Sequence, residues 1–243
     1  MRPVSEPPEQ PALTAAVSRE EGLAIVSLTR PPDNRIDEEL AVWLWECLDG
    51  LDHDPDVGAI VLTGTGEVFC AGADAAAVRA SGRPEQFADA IARLFAFFPA
   101  SSTPLVAAVN GDALAGGFGL VCSCDVVIVA DSARLGTNEA AFGAWPVLAQ
   151  VPIARRVPEK AAITNALTGE PFTARQALAL GIVDEVVAAR DLSQRARHWG
   201  RAVSVSGSAA AVGRPLFYRS REQTFEEALG EARRALARAF GAD

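Results

Sequence analysis

Glu139 stands in the segment Arg134-Leu-Gly-Thr-Asn-Glu-Ala-Ala-Phe-Gly-Ala-Trp-Pro146, a carboxylate among Ala140, Ala141, Phe142 and Trp145. Apolar neighbours penalise the charged form and raise the pKa, which suits a group that takes and returns a proton near neutrality. A solvated loop glutamate would carry the same residues, so this segment alone leaves both open. A second segment, Asn110-Gly-Asp-Ala-Leu-Ala-Gly-Gly-Phe-Gly-Leu120, runs from a strand through a glycine-rich turn into a helix. Free N–H groups at a helix start favour negative charge, and Gly116-Gly117 removes side chains that would block access to them. Its spacing is neither that of a P-loop nor that of the dinucleotide fingerprint. Close packing of helix on strand would use the same glycines. The third segment, Phe69-Cys70-Ala71-Gly72-Ala73-Asp74, lets a ligand approach the backbone, and Asp74 is placed to cap the next helix.

The surrounding pattern says what holds these segments. Residues 14–30 read as two short strands around Glu20-Glu21-Gly22, a hairpin. Asp37 precedes a helix in which Leu40, Trp43, Leu44, Cys47 and Leu48 recur at helical spacing. The continuous apolar runs 58–63, 104–110 and 125–130 are strands covered on both faces. Helices over 84–99 and 117–123 separate them, and 64–74 reads as a loop. Alternating strands and helices make a largely parallel sheet with right-handed crossovers the economical topology. Beyond residue 147 helices dominate, at 161–167, 174–180, 192–204 and 224–240, with one strand at 182–187. Residues 1–12, with four prolines, read as a disordered leader.

Composition narrows the chemistry. The chain has 243 residues, with 22 Lys+Arg against 31 Asp+Glu, a formal charge of −9. Lys160 is the one lysine. That balance argues against nucleic acid or an anionic membrane as partner, because both need a basic footprint. An anionic ligand must then be held by backbone N–H groups or a few arginines. Four irregularly spaced cysteines make neither a disulfide framework nor a metal site. The histidines, His53 and His198, lie in charged stretches and read as exposed helix-end residues, which leaves no Ser/His or Cys/His nucleophile. The N-terminal stretch lacks a secretory h-region and no apolar run spans a membrane, so the expected location is cytoplasmic.

The order and spacing of the three segments resemble the crotonase (enoyl-CoA hydratase/isomerase) superfamily, from about residue 13 to residue 240. Arg30-Pro-Pro-Asp-Asn-Arg35 and the stretch from Leu167-Thr-Gly169 to Gly181-Ile-Val-Asp184 add to the match. The resemblance implies an α/β fold, a crotonase-like spiral of ββα units with a helical C-terminal subdomain. It places the ββα core at 13–190 and a helical trimerisation subdomain at 191–243, with a homotrimer or dimer of trimers as the assembly.

The same resemblance assigns roles. The N–H groups of Ala73 and Gly116 become an oxyanion hole for a thioester oxygen. Arg35, Ile36, Ala71, Gly72, Asp74, Gly117, Phe118, Gly119, Phe142 and Trp145 line the substrate, with Phe118, Phe142 and Trp145 walling the acyl group. Hydratases of the family use two glutamates, and this chain has Gly119 at the first position and Glu139 at the second. Other isomerase branches put a second acid where Val147 stands. Gly136-Thr-Asn-Glu139 resembles the Gly-x-Asn-Glu of Δ3,Δ2-enoyl-CoA isomerases that keep a single glutamate. The expected reaction is therefore double-bond isomerisation of an acyl-CoA thioester, with Glu139 as proton shuttle. No cofactor is expected beyond coenzyme A as part of the substrate. Hydration, decarboxylation, C–C bond formation, or a non-catalytic acyl-CoA-binding subunit are the alternatives.

Overall fold

Strands made of continuous apolar runs must be covered on both faces, and that requirement organises the computed structural model, which describes residues 15–241. Six strands form the first sheet, in the order β1 (Ala15–Glu20), β2 (Leu23–Leu28), β3 (Ala59–Gly64), β5 (Leu105–Val109), β7 (Val126–Ala130) and β10 (Glu185–Val187). β1 and β2 pair antiparallel and all later neighbours are parallel. Glu21 and Gly22 both take positive φ, as a two-residue hairpin demands. Along β3 the side chains alternate: Ile60 and Leu62 face the main core, while Val61 faces the other side. The main core is closed by α1 (Glu38–Asp52), capped by Asp37, and by α3 (Pro84–Ala100), through Leu40, Leu44, Leu48, Leu94 and Phe98.

A second sheet runs beside the first, in the order β4 (Val68–Cys70), β6 (Asp112–Leu114), β8 (Arg134–Gly136) and β9 (Phe172–Thr173). The chain winds as a spiral. Each coil lays one strand in the first sheet and one in the second, then returns through helix: β3, β4 and α2 (Ala75–Ser81) with α3; β5, β6 and α4 (Gly116–Ser123); β7, β8 and α5 (Gln150–Arg156) with α6 (Glu159–Thr168). The expected α/β spiral of ββα units is what the fold shows. Residues 64–74 are not all loop, however, because β4 lies within them. Two- and three-residue strands carry too little periodicity to be read from sequence.

The rest of the chain is α7 (Ala174–Ala179), α8 (Leu192–Ser204), α9 (Gly207–Ser220) and α10 (Phe225–Ala239). α8 begins at residue 192, where the C-terminal helical subdomain is expected to start. Leu192 and Ala196 of α8 pack on Val61, Val106 and Ile128, covering the second face of the first sheet. Arg195 holds Glu185 of β10 through two 2.8 Å bonds, and Arg197 pairs with Glu20 of β1. α8 is thus a core helix, and the outer helical part begins after it. His198 lies exposed within α8, not at a helix end. α9, absent from the sequence expectation, is tied down by a buried cluster. Asp125 accepts from Arg214 Nε (2.8 Å), Tyr218 OH (2.6 Å) and Leu105 N–H (2.8 Å). The predicted strand at 182–187 shortens to its last three residues. The leader at 1–12 lies outside the described residues.

Candidate active site

The three chemistry-bearing segments are the three loops that leave the C-terminal ends of neighbouring parallel strands. In the second sheet Cys70 pairs with Ala113, and Ala113 with Leu135. Ala73 lies three residues beyond that row on β4's exit, Gly116 three beyond on β6's, and Glu139 four beyond on β8's. Adjacent strands lie about 4.8 Å apart, so three successive coils deliver their loops to one place. Such a position, beyond the carboxyl ends of parallel strands, is where α/β sheets bind ligands.

The β4 exit is fixed from outside. Ala71 N–H donates to Asp33 O (3.0 Å), Ile36 N–H to Gly72 O (2.8 Å) and Asp74 N–H to Ile36 O (2.8 Å). The bonds on either side of Ala73 leave its own N–H undonated among the described residues. The 33–36 segment is itself anchored by buried Asn34, whose Nδ2 donates to the carbonyls of Thr65, Val68 and Phe69. Gly72 has φ +93°, and a Cβ there would stand 2.5 Å from Ala115 Cβ and 3.2 Å from Gly116 N. The two turns therefore touch, and only glycine permits it.

At the β6 exit, Ala115 takes φ +52° and ψ −122° immediately before the first residue of α4. A non-glycine residue in that region stores about 1–3 kcal/mol of strain, kept only where surroundings enforce it. Ala115 N–H is tied to Gly136 O (3.0 Å), which joins this turn to the β8 exit. Gly116 N–H has no protein acceptor among the described residues, and a Cβ built on Gly116 would meet only Gly72 Cα, at 3.7 Å. Two adjacent undonated amides, one at a helix N-terminus, can stabilise an oxygen on which negative charge develops.

At the β8 exit the chain makes a 3-10 turn, Glu139–Phe142. Glu139 is half-buried and its Oε2 accepts from Asn138 N–H (3.0 Å). Burial raises its pKa, and backbone hydrogen bonds at Glu139 and Asn138 oppose that rise. Cys70, near the hole, is no rival nucleophile, since burial pushes its thiol up to about 12. At Gly119, a Cβ would meet Phe95 Cζ at 2.7 Å and Ala149 Cβ at 3.3 Å. The Phe95 ring from α3 occupies the space a side chain at 119 would need.

Several expected substrate contacts are placed elsewhere. Phe118 is fully buried and packs towards Phe172 (6.4 Å between centroids), because its place on α4 faces inward; it is core, not acyl wall. Phe142 is 79% exposed, and Trp145 turns its Nε1 to Gln150 Oε1 (2.9 Å), so neither closes a pocket within the single chain. Asp74 caps α2 through Ala77 N–H (2.9 Å). Ile36 is buried and contributes only backbone, while Gly117 is buried against Cys70. Arg35 is exposed, paired with Asp33 (2.8 Å), and with Arg30 and Asp74 edges a shallow depression beside Ala73. The cavity that sequence did not reveal has a volume of about 490 Å³ and lies beyond Phe95, walled by Pro99, Leu148, Val151 and Pro152 with Arg155 at its edge.

Known proteins share this construction. The profile of the family described as enoyl-CoA hydratase/isomerase matches residues 18–240. The chain belongs to that family. Its relatives include a Mycobacterium bovis protein named as a probable enoyl-CoA hydratase, 35% identical over 237 residues, covering 95% of this chain and 91% of that one. The enoyl-CoA hydratase EchA19 of Mycobacterium tuberculosis is 31% identical over 203 residues, covering 81% and 76%. A crystal structure of an enoyl-CoA hydratase from Mycobacterium smegmatis superposes with a TM-score of 0.90 at 29% identity, covering 95% of this chain and 92% of that one. The chain is thus an enzyme of the crotonase superfamily, of the enoyl-CoA hydratase/isomerase type.

Proposed function

We propose that the protein isomerises the double bond of a 3-enoyl-CoA to the conjugated 2-enoyl position, with Glu139 as the only acid–base group. Glu139 carboxylate breaks the C2–H bond and takes the proton. The electron pair moves into the thioester, and the resulting dienolate oxygen is held by Ala73 N–H and Gly116 N–H. Protonated Glu139 then gives the proton to C4, forming C4–H and leaving the double bond between C2 and C3. The reaction is proton-neutral and needs no cofactor beyond the coenzyme A of the substrate.

The observation that carries this reading is the pair Gly119 and Phe95. A side chain at 119, where the family's hydratases carry their first glutamate, would meet the Phe95 ring, while burial raises the pKa of Glu139 at the exit of the neighbouring strand. The Arg35 depression, which Asp74 also lines, suits the charged end of the thioester. α10 presents Phe225, Leu229, Leu236 and Phe240 to solvent, an apolar face in keeping with a trimer or a dimer of trimers. No described helix is long and apolar enough to cross a membrane.

The test is C2 deuterium exchange and double-bond migration on a 3-enoyl-CoA in heavy water. Wild type forms the 2-enoyl product, and Glu139→Gln lowers turnover by about 10³-fold while acyl-CoA binding persists. Exchange without migration would sink the isomerase assignment. The names of the relatives favour hydration instead. That reading requires solvent oxygen to enter a 3-hydroxyacyl product when a 2-enoyl-CoA is offered in ¹⁸O water.

A further inference from the structure

We propose that Asn165, on α6 and outside every segment that carries the chemistry, is the positioning residue that fixes Glu139 against the oxyanion hole. The inference rests on Glu139 being the proton shuttle. Asn165 is 2% exposed, and all the hydrogen-bonding capacity of its carboxamide is used. Its Oδ1 accepts from Thr137 N–H (2.8 Å) and Thr137 Oγ1 (2.9 Å). Its Nδ2 donates to Thr137 O (3.0 Å) and Glu170 O (2.9 Å).

Thr137 is the first residue past the end of β8, after pairing with β6 at Gly136 and with β9 at Leu135 has ended. A peptide there would normally bond to a neighbouring strand or to water. The Asn165 carboxamide instead makes to Thr137 the donor and acceptor pair that a strand's peptide would make. One side chain thereby extends the second sheet by a residue, up to the turn bearing Glu139. A second contact enforces the same arrangement. A Cβ on Gly169, at the end of α6, would stand 3.2 Å from both Ala140 Cβ and Ala141 N, so α6 lies directly against that turn. On the other side, Gly136 O holds the N–H of Ala115, the residue before the hole's Gly116. Glu139 is thus suspended between α6 and the hole, and Asn165 is the side chain that ties it.

Only asparagine satisfies this set. Aspartate would bring an acceptor against the carbonyls of Thr137 and Glu170, leucine would strand the Thr137 peptide, and glutamine is one methylene too long. The experiment compares Asn165→Ala, Thr137→Val and Glu139→Gln in the full-length chain. It reads kcat and KM on a 3-enoyl-CoA, the acid limb of the kcat profile, and thermal melting. Asn165→Ala is expected to lose about 10- to 100-fold in kcat with KM within about twofold, because a displaced base costs the chemical step and leaves the hole intact. Its acid limb moves to lower pH, since a loosened Glu139 is better solvated. A merely structural role would lower the melting temperature without moving that limb.

Thr137→Val, which deletes only the hydroxyl bond, should lose about three- to tenfold and shift the limb the same way. It decides the matter if Asn165→Ala does not fold. A folded Asn165→Ala with kcat within about twofold and an unmoved limb overturns the positioning role. If Glu139→Gln itself keeps its turnover, the proton-shuttle reading fails first and takes this inference with it.

Discussion

In the proposed site the two amide donors and the base leave neighbouring strands, yet the chain holds them by different means. Ala73 and Gly116 are backbone atoms on turns locked from several directions: by the 33–36 segment, by contact of Gly72 with Ala115, and by burial of Gly117 against Cys70. Glu139 rides on a single 3-10 turn, 140–144 is largely at the surface, and a side-chain amide from α6, the returning helix of the same coil, holds its approach. The hole thus resists side-chain change but has no tolerance in its spacing. The base tolerates change in its own turn but depends on one distant residue.

The same substitution made in each half tests this contrast, since Gly72 and Gly143 both sit at positive φ. Gly72→Ala has the largest expected effect. Its Cβ would collide with Ala115, so the two turns must part and at least one donor moves out of reach. Turnover should fall about 10²- to 10³-fold, with about 2 kcal/mol of stability lost, measured by the exchange assay and by denaturant unfolding. Gly143→Ala meets nothing within 4 Å and adds only left-handed strain. It should cost about 1 kcal/mol and leave turnover within about fivefold. Equal losses from both variants would break the comparison.

The smallest effect concerns Glu139 itself. Its raised pKa means the folded chain keeps this proton to a higher pH than the unfolded chain does. Stability contributed here therefore falls as pH rises from the ordinary glutamate value through the raised one. Glu139→Gln has no such fall. Its melting temperature should match wild type in acid and lie slightly above it at neutral pH, although turnover is lost. A variant less stable than wild type at neutral pH would mean the carboxylate is held by more than the backbone N–H groups of Asn138 and Glu139.

Much of the first sheet is legible in sequence because β3, β5 and β7 are unbroken apolar runs, and burial on both faces leaves such runs few other fates. The second sheet is not, since β6 and β8 each contain three residues with a charged first member, Asp112 and Arg134. α9 escapes for a different reason. Gly207, Gly213 and Pro215 weaken its helical signal, and what holds it is the tertiary bond set from Arg214 and Tyr218 to Asp125. Within the site, glycines and a lone glutamate offer ambiguous chemistry by themselves, and the family pattern is what selects among their uses. Phe95 and Asn165 leave no trace in the sequence. An aromatic on α3 acquires meaning only once its coil stacks on the one bearing Gly119, and an amide on α6 only once that helix folds back on Thr137.

The spiral has one further consequence. Because each site group is borne by a different coil, the separation between the two donors is the pitch of the winding itself, and Glu139 marks the pitch of the next. Catalysis is therefore a gauge of stacking. A collapsed chain with its helices formed but its coils out of step would retain every residue named here and possess no oxyanion hole. Recovery of C2 proton exchange during refolding would then time the final docking of coil on coil, an event that helix-sensitive spectroscopy would pass over.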